Sequence, residues 1–180
     1  MTKLIHNSAA LKVDRTLYGS IFIARITVSM FFLVFCESKL LNPSFVHGRF
    51  QVYLQNYISH DAVSLYRPVL TTLVLPHAVF FGYLVGGVEL LIGLSLLLGL
   101  WVRPLSLVGA IHMMSLTLAT WWANGRNVPI GNYFSAQLDH VPLLLLLVIF
   151  YAADAGRVWG LDRWKATRQS REQDCPLQPS

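Results

Sequence analysis

An all-α membrane bundle of four spans is the fold class this sequence predicts. The 180 residues have a mean hydropathy of +0.52, with 54% hydrophobic and 13% charged side chains. That is too little polar surface to solvate a globule of this size. Four apolar runs, at 18–41, 76–101, 104–123 and 138–158, are long enough to cross a hydrocarbon core of about 30 Å, which takes on the order of 20 helical residues. The longest polar stretch is the tail from Asp162 onward. The expectation is an integral membrane four-helix bundle occupying 1–165 as one domain, followed by a disordered cytoplasmic polar tail at 166–180.

The first run is too long for a signal h-region and no small-x-small cleavage site follows it, so it reads as a span. Basic residues set the orientation. Nine (Lys3, Lys12, Arg15, Arg103, Arg157, Arg163, Lys165, Arg168, Arg171) fall on the side of the termini and four (Lys39, Arg49, Arg67, Arg126) on the other. The positive-inside rule then places both termini in the cytoplasm and the chain in the cytoplasmic (inner) membrane. This asymmetry and anionic lipid account for the pI of about 9.5, so nucleic acid is not needed as a partner.

On the first span Tyr18, Arg25, Ser29, Phe32, Cys36 and Lys39 share a face, counted at about 100° per residue. On the second, Gly82, Gly86, Glu89 and Gly93 do the same. Small residues at this spacing let helix backbones approach in lipid, so Glu89 points into the bundle. An ionisable group this central, facing inward, is a functional candidate. Counting depth by Cα position puts Arg25 about 9 Å and Glu89 about 18 Å from the inner boundary, with His112 in the inner half and Asp154 near the inner end, so that an extended arginine could bring the four into one polar pocket open to the cytoplasmic leaflet. Structural alternatives stand beside this. Arg25 can snorkel to lipid phosphate, Asp154 can pair with Arg157 three residues on, and His112 can be a core histidine.

The connection 42–75 is long for so small a protein. Phe50, Tyr53, Leu54, Tyr57 and Ile58 recur at helical spacing and Pro68 can open a further turn, which reads as an outer amphipathic helix. Interfacial anchoring, a lid over the bundle and a docking surface are its alternative roles. The connection before the fourth span is turn-rich, and its Arg126, Asp139 and His140 form no recognisable motif.

Cys36 and Cys175 fall on opposite sides of the membrane and cannot pair; no C-x-x-C, metal-ligand spacing, haem attachment, flavin or P-loop motif is present.

The segments ARITVSMFFLVFCESKLLNP, GYLVGGVELLIGLSLLLGLWVRPLSLVGA and AGRVWGLDRW, in this order, resemble the DoxX/DoxD group of four-span membrane proteins over roughly residues 20–165. Matching positions are Arg25 and Lys39-Leu40 in the first span, Glu89, Gly93, Gly99 and Arg103 in and after the second, and Gly156, Arg157, Gly160, Leu161 and Asp162 at the close. Cys36 stands where the family tends to have glycine. The long aromatic loop and the AGRVWGLD ending make the chain more similar to the DoxD type, the small subunit of thiosulfate:quinone oxidoreductase. The resemblance implies a redox role at the quinone pool, with a partner subunit. On that reading Arg25, Glu89, His112 and Asp154 would bind quinone and Glu89 would be the catalytic proton-exchanging group. A non-catalytic scaffold recruiting redox or stress-response enzymes is the alternative, and a proton-coupled transporter, which would require self-association, a third. Membrane lipid is a partner in each.

Overall fold

The computed structural model describes the backbone of residues 2–121, 130–164 and 167–168, and the side chains of 15–121, 138–164 and 167–168. Arg126, Cys175 and all of the predicted tail except 167–168 lie outside the described residues. Among the described residues every regular element is helical. The long helices are α1 (Thr2–Leu40), α4 (Ala78–Leu98), α5 (Val102–Ala119) and α6 (Ile130–Ala152); two short ones, α2 (Phe50–Asn56) and α3 (Arg67–Val69), lie in the long connection. Three segments, Arg15–Leu40, Arg67–Leu98 and Val102–Ala119, are long and apolar enough to cross a membrane, and Leu138–Ala152 supplies a shorter apolar helix within α6.

The connection 42–75 is helical over most of its length, as its aromatic spacing predicts. A wide π turn at Phe45–Arg49 leads into α2, and a second at Tyr57–Asp61 ends it. Pro68 sits in the opening turn of α3, where its missing N–H costs no hydrogen bond. The chain then runs through a π turn at Leu70–Val74 and a 3-10 turn at Leu75–His77 into α4. Pro76, unable to donate, stands where the regular α ladder is interrupted. This segment forms an apolar cluster with the near ends of α4 and α5: Leu54, Ala62 and Leu70 pack with Ala78 and Ala119. Val63 N–H also donates to Leu118 O at 3.0 Å. The connection is therefore a cap on one end of the bundle, here called the loop face.

The glycine face of α4 meets α1. A Cβ at Gly86 would stand 2.9 Å from a Leu40 methyl and 3.2 Å from Lys39 Cβ; one at Gly93 would stand 2.9 Å from Leu33 Cγ and 3.3 Å from its backbone nitrogen. Ser29 Oγ donates to Gly93 O at 2.8 Å across the same seam. Cys36, at the position the family tends to give to glycine, is buried with its thiol on Leu33 O at 3.1 Å, so the seam accommodates it. The main core lies deeper, where Val28 and Phe32 of α1, Ile92 and Leu96 of α4, Ala110 and Met113 of α5, and Leu143, Leu147 and Phe150 of α6 interlock.

The opposite end, the terminal face, carries the tight turns. Gly99 ends α4 in the left-handed region at φ 66°. Asp162 caps α5, its carboxylate oxygens accepting the N–H groups of Trp101 at 2.9 Å and Val102 at 3.2 Å. A Cβ on Gly160 would overlap the Gly99 and Gly156 carbonyl oxygens, so the closing G-R-x-x-G-L-D sequence is a packing motif here.

If the α1–α4 seam depends on missing side chains, Gly93→Leu should lower unfolding stability in detergent by about 1–3 kcal/mol, the usual range for overpacking. Gly87→Ala, with nothing within 4 Å of its Cβ position, should be close to neutral in the same thermal melt.

Candidate functional site

Glu89 is 1% exposed, and its carboxylate is enclosed by two side chains from other helices. Lys39 Nζ donates to Oε2 at 2.7 Å and to Oε1 at 2.9 Å. His112 Nε2 stands 3.4 Å from Oε1. Lys39 has a side-chain exposure of 17% and His112 of 11%. The third Lys39 interaction goes to Phe35 O at 3.2 Å, and the ammonium lies 5.7 Å from the centre of the Phe35 ring. Two opposite charges thus face each other in a low-dielectric interior, where attraction far exceeds its value in water.

The local sequence explains how Lys39 gets there. Helical side chains lean toward the N-terminus of their helix. A lysine in the last turn of α1 therefore reaches back about one turn into the bundle, past its own Phe35 carbonyl, and meets Glu89 halfway along α4. Gly86, at whose position any side chain would strike Lys39 and Leu40, keeps the approach open.

The triad stands at the deep end of a cavity of about 510 Å³. Leu84, Val85 and Val88 of α4 form one wall and Val108, Ile111 and Ser115 of α5 the other. Phe50, Tyr53, Leu54 and Tyr57 close it from the loop face, with Tyr66, Leu70 and Val74. In that cap the Phe45 and Tyr53 rings are 6.2 Å apart and those of Tyr53 and Tyr57 stack at 6.5 Å. Burial pushes the Tyr57 phenol above its ordinary pKa, so it remains a donor throughout the physiological range. His140, whose Nδ1 lies 3.3 Å from Thr120 Oγ1, also lines the cavity. Size, apolar lining and a few converging polar groups match those of small-molecule sites, typically about 300–1,000 Å³.

The four sequence candidates do not share one pocket. Glu89 and His112 meet; Arg25 and Asp154 are elsewhere. Arg25 is buried at the terminal face, its Nη1 donating to Ala155 O at 2.7 Å and Val158 O at 2.9 Å, with Phe22 5.3 Å from its guanidinium. It packs against Gly99, ten residues and about 15 Å along α4 from Glu89. Asp154, at φ 47°, pairs with Arg157 Nε at 2.8 Å at the partly exposed end of α6. The cavity also lies under the 42–75 connection and not at the terminal face, where Arg25 and Asp154 stand. Both differences arise from placing groups by Cα depth. That count omits the reach of Lys39, and backbone carbonyls such as those holding Arg25 leave no mark in a sequence. Lys39 was signalled by its place on the Arg25–Ser29–Cys36 face. Among the described residues no group of three or more His, Cys, Asp or Glu could hold a metal ion.

A family model described as "TQO small subunit DoxD" matches residues 20–166, which takes in α1 from Ser20 onward, the cap, the remaining helices and the closing turn motif. The chain belongs to the DoxD family. Its family is that of the small subunit of thiosulfate:quinone oxidoreductase. Neither the curated proteins nor the solved structures gave a match.

Removing one member of a buried pair strands the other's charge, whereas replacing both with apolar groups is often tolerated. Lys39→Met and Glu89→Leu should each destabilise the protein by roughly 3 kcal/mol, with the double variant within about 1 kcal/mol of the parent. A thermal melt in detergent reads this, and additive losses in the double variant would show that the two charges do not stabilise each other.

Proposed function

We propose that this chain is the quinone-binding membrane subunit of an oxidoreductase of the thiosulfate:quinone type, and that the 510 Å³ cavity receives the quinone headgroup. The observation that carries this is the Lys39–Glu89–His112 cluster at the closed end of an otherwise apolar, aromatic-capped chamber in a chain of the DoxD family. A quinone, when bound, accepts two electrons and two protons.

The protein's part is to bind, orient and move protons. The apolar walls of α4 and α5 admit a planar ring and exclude water, which strengthens every charge interaction inside. Lys39 has its hydrogen-bonding directions taken by the carboxylate and Phe35 O, so His112 and Ser115 are the donors turned to a ligand carbonyl, with the Tyr57 phenol above. Glu89 exchanges protons through Oε1, the oxygen that faces His112. Lys39 holds that carboxylate in place through both of its oxygens.

A small subunit implies a larger companion, and electrons from thiosulfate would reach the cavity through it. With both termini in the cytoplasm, as the basic residues place them, the aromatic cap lies on the outer side of the inner membrane. Arg25 and Asp154 serve this function by holding the terminal face together, outside the cavity.

The Lys39→Met/Glu89→Leu double variant separates folding from function. Purified with its partner, it should fold normally yet reduce a short-chain benzoquinone with thiosulfate at least ~100-fold more slowly, a range spanned by loss of general acid–base catalysis. His112→Phe should lower the same rate while leaving the partner bound. Undiminished turnover in the folded double variant would remove the cavity from the reaction and favour a scaffold.

A further inference from the structure

The cap that closes the loop-face end of the cavity is built into the fold, packed on Ala78 and Ala119 and hydrogen-bonded to Leu118. Access to Glu89 therefore has to come from another direction. α4 and α5 are joined by a short turn at Gly99–Trp101 and touch where a Cβ at Gly109 would lie 3.3 Å from Ile92 Cδ1. From there toward the cap, the cavity itself separates them.

Its two long sides differ. On one side Lys39 from α1 and His140 from α6 back the chamber. On the other, Leu84, Val108 and Ile111 line it and are 44%, 41% and 61% exposed, so the same side chains face both the cavity and the outside. In a membrane that outside is acyl chain. Hydrocarbon gives such residues no reason to collapse onto each other, so a cleft between two helices can stay open there at little cost.

We propose that the α4–α5 cleft is a lateral portal for the long apolar tail of a membrane-dissolved quinone, with Leu84, Val108 and Ile111 as the gate that selects tailed over tail-less quinones. This rests on the quinone reading above. The headgroup passes between the helices to Glu89 and His112 while the tail remains in the cleft and the lipid beyond it. Packing of the tail against the cleft then adds affinity that the headgroup alone lacks.

The test is equilibrium binding of two probes, a decyl-tailed benzoquinone and its tail-less parent ring, to the purified protein in nanodiscs. Wild type should bind the tailed probe more tightly. Ile111→Trp, which fills the gate from an exposed position, should weaken the tailed probe about tenfold more than the parent ring, because the place of the tail in the cleft is what it takes away. Ile111→Ala should keep or improve the tailed probe. Equal loss of both probes in Ile111→Trp, or no loss of either, overturns the portal. Wild type that binds neither probe would instead overturn the quinone reading beneath it.

Discussion

The constraint around which the site is built is that a charge at Lys39 or at Glu89 requires its opposite at the other. Neither charge is tolerable alone at that depth, and each is met by the other at 2.7 Å, with a main-chain carbonyl and a histidine completing the shell. The pair fixes the register of α1 against α4, since sliding either helix by a turn would separate the charges by about 5 Å. It also requires the glycine face, because a side chain at Gly86 would hold α1 away. A stabilising contact and a chemically competent site are thus the same group of atoms.

The two ends of the bundle divide the work. At the terminal face Arg25, two carbonyls, Asp162 and three closely packed glycines tie α1, the α4–α5 turn and the end of α6 together. A helix hairpin pinned so firmly at one end can leave a chamber at the other, where only the cap of α2 and its flanking turns is needed to close it. The wide π turns at either end of α2 suit that role, since such turns recur where a helix must present side chains to a site. Closure by packed glycines at one face and an aromatic roof at the other leave the side between α4 and α5, where Leu84, Val108 and Ile111 are exposed, as the remaining approach to the cavity.

Much of this was legible in the sequence. Apolar run lengths gave the membrane class, and the 0, 4, 7, 11 spacing of Gly82, Gly86, Glu89 and Gly93 turned Glu89 inward. Aromatic spacing in 42–75 gave a helix, though not its place over the bundle, since periodicity identifies a face without naming what it packs on. The pairing of Glu89 with Lys39 is not visible to a count of Cα depth. A lysine at the C-terminal end of a helix leans back into it by a turn, while an arginine can be satisfied by carbonyls that carry no letter. Asp154 took its local alternative, an i,i+3 pair with Arg157, whereas His112 stands beside Glu89. The difference lay in which face of α5 met α4, and that is a tertiary fact.

The central claim, that the quinone headgroup rests against Glu89 and His112, is tested most directly by photoaffinity labelling. An azido-benzoquinone irradiated with the purified protein, followed by peptide mass spectrometry, should place adducts in residues 50–57, 81–89 and 108–116, with protection by excess unlabelled quinone. Protectable adducts confined to residues 18–25 and 154–163, around Arg25 and Asp154, would contradict the account and move the site to the terminal face.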